Sequence, residues 1–106
     1  MNNKTILITG ATSGLGLEAA KQLAKQGHEI ILLCRNKEKG EQAISEIKSF
    51  SENNKLHLYT ANLSSQKAVE QAAQNIKNDF SKLDVLLNNA GAVFNTFQLS
   101  EDGIEM

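Results

Sequence analysis

Short apolar runs alternate along this chain with longer segments of helical periodicity, and three glycines follow the first run directly. These observations predict an α/β fold: a doubly wound, parallel, Rossmann-like sheet. The first strand is read at Thr5 to Thr9. From Gly14 to Gln26 the residues Leu15, Ala19, Ala20, Leu23 and Ala24 recur at helical spacing, and Gly27 supplies a stop. Glu29 to Cys34 is a second strand, apolar at nearly every position, as expected when both faces of a sheet are covered. After the polar break Arg35-Asn36-Lys37, a helix gathers Ala43, Ile44, Ile47 and Phe50 on one face and ends in the loop Ser51 to Asn54. Leu56, Leu58 and Thr60 alternate in a third strand, which turns His57 the other way. Ser64 or Ser65 can cap a third helix carrying Val69, Ala72, Ala73, Ile76 and Phe80, and Asp84 to Asn88 is a fourth strand. Right-handed crossovers then imply the strand order 3-2-1-4, reversing between strands 1 and 4. The tail from Ala92 to Met106 reads as a polar loop with Phe94 and Phe97 as anchors. The whole of 1–106 reads as a single domain or a piece of one.

Composition narrows the function. Hydrophobic residues make up 41 % of the chain and aromatics only 5 %, so the core must be built from Leu, Ile, Val and Ala. A net charge of −1, with Lys and Glu interleaved, gives no basic face for nucleic acid. The longest apolar run, Ile30 to Cys34, is far too short for a membrane span. The opening MNNKTILITG lacks the long apolar region of a secretory signal. The single cysteine, Cys34, excludes an internal disulfide and reads as a packed small hydrophobe; with His28 and His57 it forms no metal-ligand spacing. The expectation is a cytoplasmic chain without a bound metal.

The stretch TGATSGLG, Thr9 to Gly16, carries the chemistry. It follows the strand that ends at the predicted reversal, where ligands of such sheets bind, and it opens a helix whose free N–H groups attract phosphate. Gly10 lets the chain turn off the strand, Gly14 removes a Cβ that would hold a pyrophosphate away, and Gly16 lets the helix lie close to the sheet. Thr12 and Ser13 offer hydroxyls. The loop does not run on into Gly-Lys-Ser/Thr, which disfavours a P-loop triphosphatase.

The spacing Thr9-Gly10-x-x-x-Gly14-x-Gly16, together with Asn88-Asn89-Ala90-Gly91 at the end of the fourth strand, resembles the short-chain dehydrogenase/reductase family. LLCRNKEKGEQA, ANLSS and LDVLLNNAG look like its retinol-dehydrogenase-like branch. The resemblance covers essentially all of this chain but only the first part of a family member. It implies that Gly10, Thr12, Ser13, Leu15 and Gly16 cradle the pyrophosphate and adjacent ribose of a dinucleotide. It further implies that Asn62 and Leu63 lie along the adenine, and that Asn89, Ala90 and Gly91 line the nicotinamide side. Asn88 is expected to tie strand 4 to its neighbours. Family members often have Asp where this chain has Asn62, whose amide is expected to pair with the adenine amino group.

Cofactor choice rests on the end of strand 2. A carboxylate there would accept hydrogen bonds from a ribose 2′-hydroxyl, whereas a 2′-phosphate needs a cation. The acidic slot holds Cys34, and Arg35 follows, with Lys37 adding to the field. The expectation is NADP(H) over NAD(H).

The resemblance also implies general acid catalysis by a tyrosine with a lysine four residues on and a preceding serine. The one tyrosine, Tyr59, lies in strand 3 with Leu63 four residues later, so no catalytic residue is assigned and the chain alone is expected to bind cofactor without reducing a carbonyl. A complete protein of this kind would act on a small carbonyl or alcohol substrate, and the resemblance allows a homo-oligomer. Strand 4, apolar on both faces, would stand at an edge in 1–106, which leads us to expect marginal stability or association there. A catalytically silent nucleotide-binding or regulatory module is the alternative reading. A methyltransferase also places glycines after strand 1 but usually has an acidic residue where Cys34-Arg35 stands.

Overall fold

The structure, a computed structural model, describes residues 3–10 and 14–88. The elements run β1 (Thr5–Thr9), α1 (Gly14–Lys25), β2 (Glu29–Cys34), α2 (Lys37–Ser51), β3 (Leu56–Thr60), α3 (Gln66–Asp79) and β4 (Val85–Asn88). All strand pairings are parallel and the order is β3-β2-β1-β4, as the crossover argument predicts. In register, Leu7 stands between Ile31 and Leu86, and Thr9 between Leu33 and Asn88.

Successive side chains of a strand point to opposite faces, so each apolar run feeds two cores. On one face Ile6, Ile8, Ile30 and Leu32 pack against Ala20 and Ala24 of α1 and Ala43 and Ile47 of α2. On the other, Leu7, Ile31, Leu33 and Leu86 pack against Val69, Ala72, Ala73 and Ile76 of α3, with Leu83. The first two crossovers both step toward β3 and the third steps back across the sheet. A common right hand therefore puts α1 and α2 on one side and α3 on the other. Small residues on the helices let them sit close. Gly40 is the extreme case, since a Cβ there would lie 2.7 Å from both Cys34 Sγ and Leu58 Cδ1.

Several boundaries and faces differ from the sequence reading. Lys37 begins α2 rather than preceding it, because Asn36 is the cap: its side chain accepts from the Lys39 N–H at 2.9 Å. Of the two candidate caps for α3, Ser65 is the one used, accepting from Ala68 N–H. α2 keeps Ser51, and Asp84 lies just outside β4. Phe50 is not core. It is 39 % exposed, with the ammonium groups of Lys21 and Lys25 5.0 and 5.1 Å from its ring centroid, an arrangement in which cations cover an aromatic face the core had no room for. Among the described residues no helix is long and apolar enough to cross a membrane. The tail from Ala92, with Phe94 and Phe97, lies outside the described residues.

Candidate functional site

The C-terminal ends of the strands bring the motif residues together. Gly10 leaves β1 at φ +67°, a conformation that side chains disfavour, and its N–H donates to Leu33 O at 3.0 Å. Ala61 N–H donates to Cys34 O at 2.9 Å, so the ladder between β2 and β3 continues to the residue after β3. Between these strand ends lies an open depression of about 500 Å³ lined by Gly10, Cys34, Arg35, Asn36, Lys39 and Leu63.

Gly14 opens α1 at φ +64°, and none of the described residues lies within 4 Å of where its Cβ would be. The backbone there is left bare on its open side, which is the access a bulky anion needs. Leu15 is 89 % exposed, an apolar side chain held out at the start of α1, and Gly16 is half-buried on the same helix. Thr12, Ser13, Asn89, Ala90 and Gly91 lie outside the described residues, as does the side chain of Asn88.

Arg35 and Lys39 are exposed, and neither meets a carboxylate among the described residues, so two positive charges face the depression. Lys37 does not line it. Asn36 as cap makes Lys37 the first helical residue and Lys39 the third, and it is the third that comes back over the end of β2. Lys39 and Asn36 were thus missed by reading charge order alone. The signal was available in the Asn36 cap position, which fixes where the helix begins.

Cys34 is buried and its Sγ donates to Asn36 O at 3.4 Å. Burial pushes the thiol up from its ordinary value, with the Asn36 bond opposing more weakly, so it stays protonated at neutral pH. It packs under Gly40 as the small hydrophobe expected, while also forming part of the floor.

Asn62 follows β3 in an Asx turn. Its Oδ1 accepts from Ser64 N–H at 3.1 Å and from the Ser64 hydroxyl at 2.6 Å. Its Oδ1 thus accepts two hydrogen bonds within the turn, and Asn62 is not among the residues that line the depression. Its neighbour Leu63 contributes the apolar wall of the depression.

Tyr59 is removed from this surface. It packs on the α3 side near Phe80, and its hydroxyl donates to Asp79. Burial, then the Asp79 bond and charge, push its pKa up to about 12. His57 faces the same side, with Nε2 2.7 Å from Glu29 Oε2 and its ring edge-on to Phe80. His28 is half-buried, and its Nδ1 accepts from Lys4 N–H at 3.0 Å.

Comparison with known proteins agrees with this geometry. Residues 4–105 match the model of the short chain dehydrogenase family. Human retinol dehydrogenase 13 is 37 % identical over 103 residues, covering 97 % of this chain and 31 % of that protein. The crystal structure of actinorhodin polyketide ketoreductase with NADPH superposes with a TM-score of 0.72 at 29 % identity, over 82 % of this chain and 33 % of that one. That of NAD+-bound xylitol dehydrogenase gives 0.70 at 33 % identity, over 80 % and 32 %. The chain spans about a third of the length of the curated relatives it matches.

Proposed function

Because the chain belongs to the short-chain dehydrogenase family, we propose that it is the cofactor-binding part of an oxidoreductase that moves a hydride between NADP(H) and a carbonyl or alcohol substrate. One observation carries the cofactor choice: Arg35 and Lys39 line the depression at the end of β2, where a carboxylate would favour the 2′-hydroxyl of NAD(H). A guanidinium and an ammonium offer charge-assisted hydrogen bonds to a 2′-phosphate and leave a bare hydroxyl without an acceptor.

The residues present fit a dinucleotide. The bare backbone at Gly14 and the turn at Gly10 suit the pyrophosphate, whose negative charge is favoured at the start of α1. Thr12, Ser13, Leu15 and Gly16 complete that cradle in this reading. Leu63 gives an apolar wall for the base beside Asn62, and Asn89, Ala90 and Gly91 take the nicotinamide side. When bound, the cofactor supplies or accepts the hydride. The residues named here bind and orient it, and Tyr59, held by Asp79 away from the depression, takes no part in proton transfer.

The test is a titration of NADPH and NADH against the full chain and an Arg35→Glu variant. We expect the unaltered protein to bind NADPH tighter by about tenfold or more, and the variant to lose that preference. Equal or better binding of NADH by the unaltered protein would overturn the cofactor assignment.

A further inference from the structure

We propose that Asn36 is a positioning residue for cofactor discrimination: by capping α2 through the Lys39 N–H, it holds Lys39 over the end of β2, where the ammonium meets a 2′-phosphate. The inference rests on the dinucleotide reading above and deepens it, naming a residue through which that site tells NADPH from NADH.

Three contacts seat the first turn of α2. Asn36 is extended, at φ −107° and ψ 117°, and its Oδ1 accepts from the Lys39 N–H at 2.9 Å. Its backbone carbonyl accepts from the Gly40 N–H at 2.9 Å and from the Cys34 thiol at 3.4 Å, the second bond tethering the cap to the last residue of β2. Gly40 is buried against Cys34 and Leu58, with no room for a Cβ. Lys39 therefore stands between two fixed points, the cap three residues before it and the glycine seat directly after it.

This seating decides where the charge goes. Side chains of a helix lean toward its N-terminus, so that of Lys39 leans back toward Asn36 and the end of β2, and both residues line the depression. Lys37, two residues earlier, is turned about 200° from Lys39 around the helix axis and does not line it. Lys39 is exposed, and its ammonium rides on a flexible four-carbon stem, so the placement of its backbone is what keeps the charge at the site. Without the cap oxygen the Lys39 N–H loses its partner and the first turn frays, releasing Lys39 from that placement. NADH has no group for this ammonium to meet. Loss of the cap should therefore be felt by NADPH alone.

The experiment is calorimetric titration of NADPH and NADH into the full chain, Asn36→Ala, Asn36→Asp, Lys39→Met and the double variant Asn36→Ala/Lys39→Met. Asn36→Ala should weaken NADPH by about three- to fivefold, the order by which a missing cap shifts its turn, and leave NADH as it was. Aspartate caps as well as asparagine, so Asn36→Asp should retain more of the NADPH preference than Asn36→Ala does. Lys39→Met should lower the preference by about tenfold, and adding Asn36→Ala to it should change the ratio no further. An Asn36→Ala variant that weakens both nucleotides equally or neither, or one that lowers the ratio as much when Lys39 is absent, would overturn the inference while the dinucleotide reading stands. So would Asn36→Asp behaving like Asn36→Ala. Failure of both nucleotides to bind the unaltered chain would overturn the two together.

Discussion

At the end of the sheet where the strands begin, side chains and backbone close on one another. Asp84 N–H donates to Thr5 O at 2.9 Å, while Asp84 Oδ2 accepts from Thr5 N–H at 2.8 Å, a reciprocal clamp between β1 and β4. Asn53 Nδ2 donates to both Ala24 O (2.9 Å) and His28 O (2.8 Å), tying the end of α1 to the start of β2. His28 holds Lys4. At the opposite end, where the strands finish, Arg35 and Lys39 face an open depression, Leu15 stands out in solvent, and Gly10 and Gly14 hold positive φ. The contrast teaches a division of labour. Polar groups satisfied within the chain contribute stability, and groups left open are available to a ligand, so the two tasks are kept at opposite ends of one rigid sheet.

The largest expected effect breaks the contrast by attacking the packing beneath the open end. Gly40→Val forces new atoms onto Cys34 and Leu58 and should cost about 3 kcal/mol in chemical denaturation, with binding lost through unfolding rather than through lost contacts. Next, Asn53→Ala takes one donor from the Ala24 carbonyl, which keeps the Gly27 N–H, and another from the His28 carbonyl, and should cost about 1–2 kcal/mol while leaving dinucleotide affinity unchanged.

Gly14→Ala is expected to do the reverse. With none of the described residues within 4 Å of the new methyl, the positive φ opposes it by about 1 kcal/mol of stability, yet the methyl stands on the bare backbone and should weaken dinucleotide binding by about tenfold or more. Unchanged affinity in this variant would show that the cradle lies elsewhere.

The smallest effect is in acid. The Thr5 N–H, and then Lys82 against a partial burial cost, hold the Asp84 carboxyl below the usual carboxylate range. A depressed folded-state value means that the unfolded chain takes up its proton first. Asp84 therefore contributes stability at pH above its unfolded-state value, and that contribution is lost as pH falls through the folded-state value. Asp84→Asn should lower stability at neutral pH and flatten the acid limb of the stability profile, measured by thermal unfolding from pH 6 downward to about 2.

β1 and β2 were legible because each is a continuous apolar run, which is what two covered faces demand, and β3 was legible by its alternation. β1 and β2 agree with the sequence reading to the residue. Helix ends were less legible, since a cap is a matter of which short polar side chain reaches back. Asn36 and Ser65 do so, and the choice moved Lys37 into α2 and Lys39 over the site. Phe50 shows the limit of periodicity. It shares a face with Ala43 and Ile47, but where that face ends depends on how far α1 overlaps α2, which no local pattern encodes.

By itself, then, the sequence determined the layered parallel sheet, its strand order and the position of the glycine turn after β1. Apolar period, crossover handedness and glycine placement are local or topological constraints. Only the tertiary structure decided which cations face the depression and that Tyr59 is held by Asp79. Those depend on side chains meeting across elements that are separate in the chain, where the partners reached, rather than residue type, select the orientation.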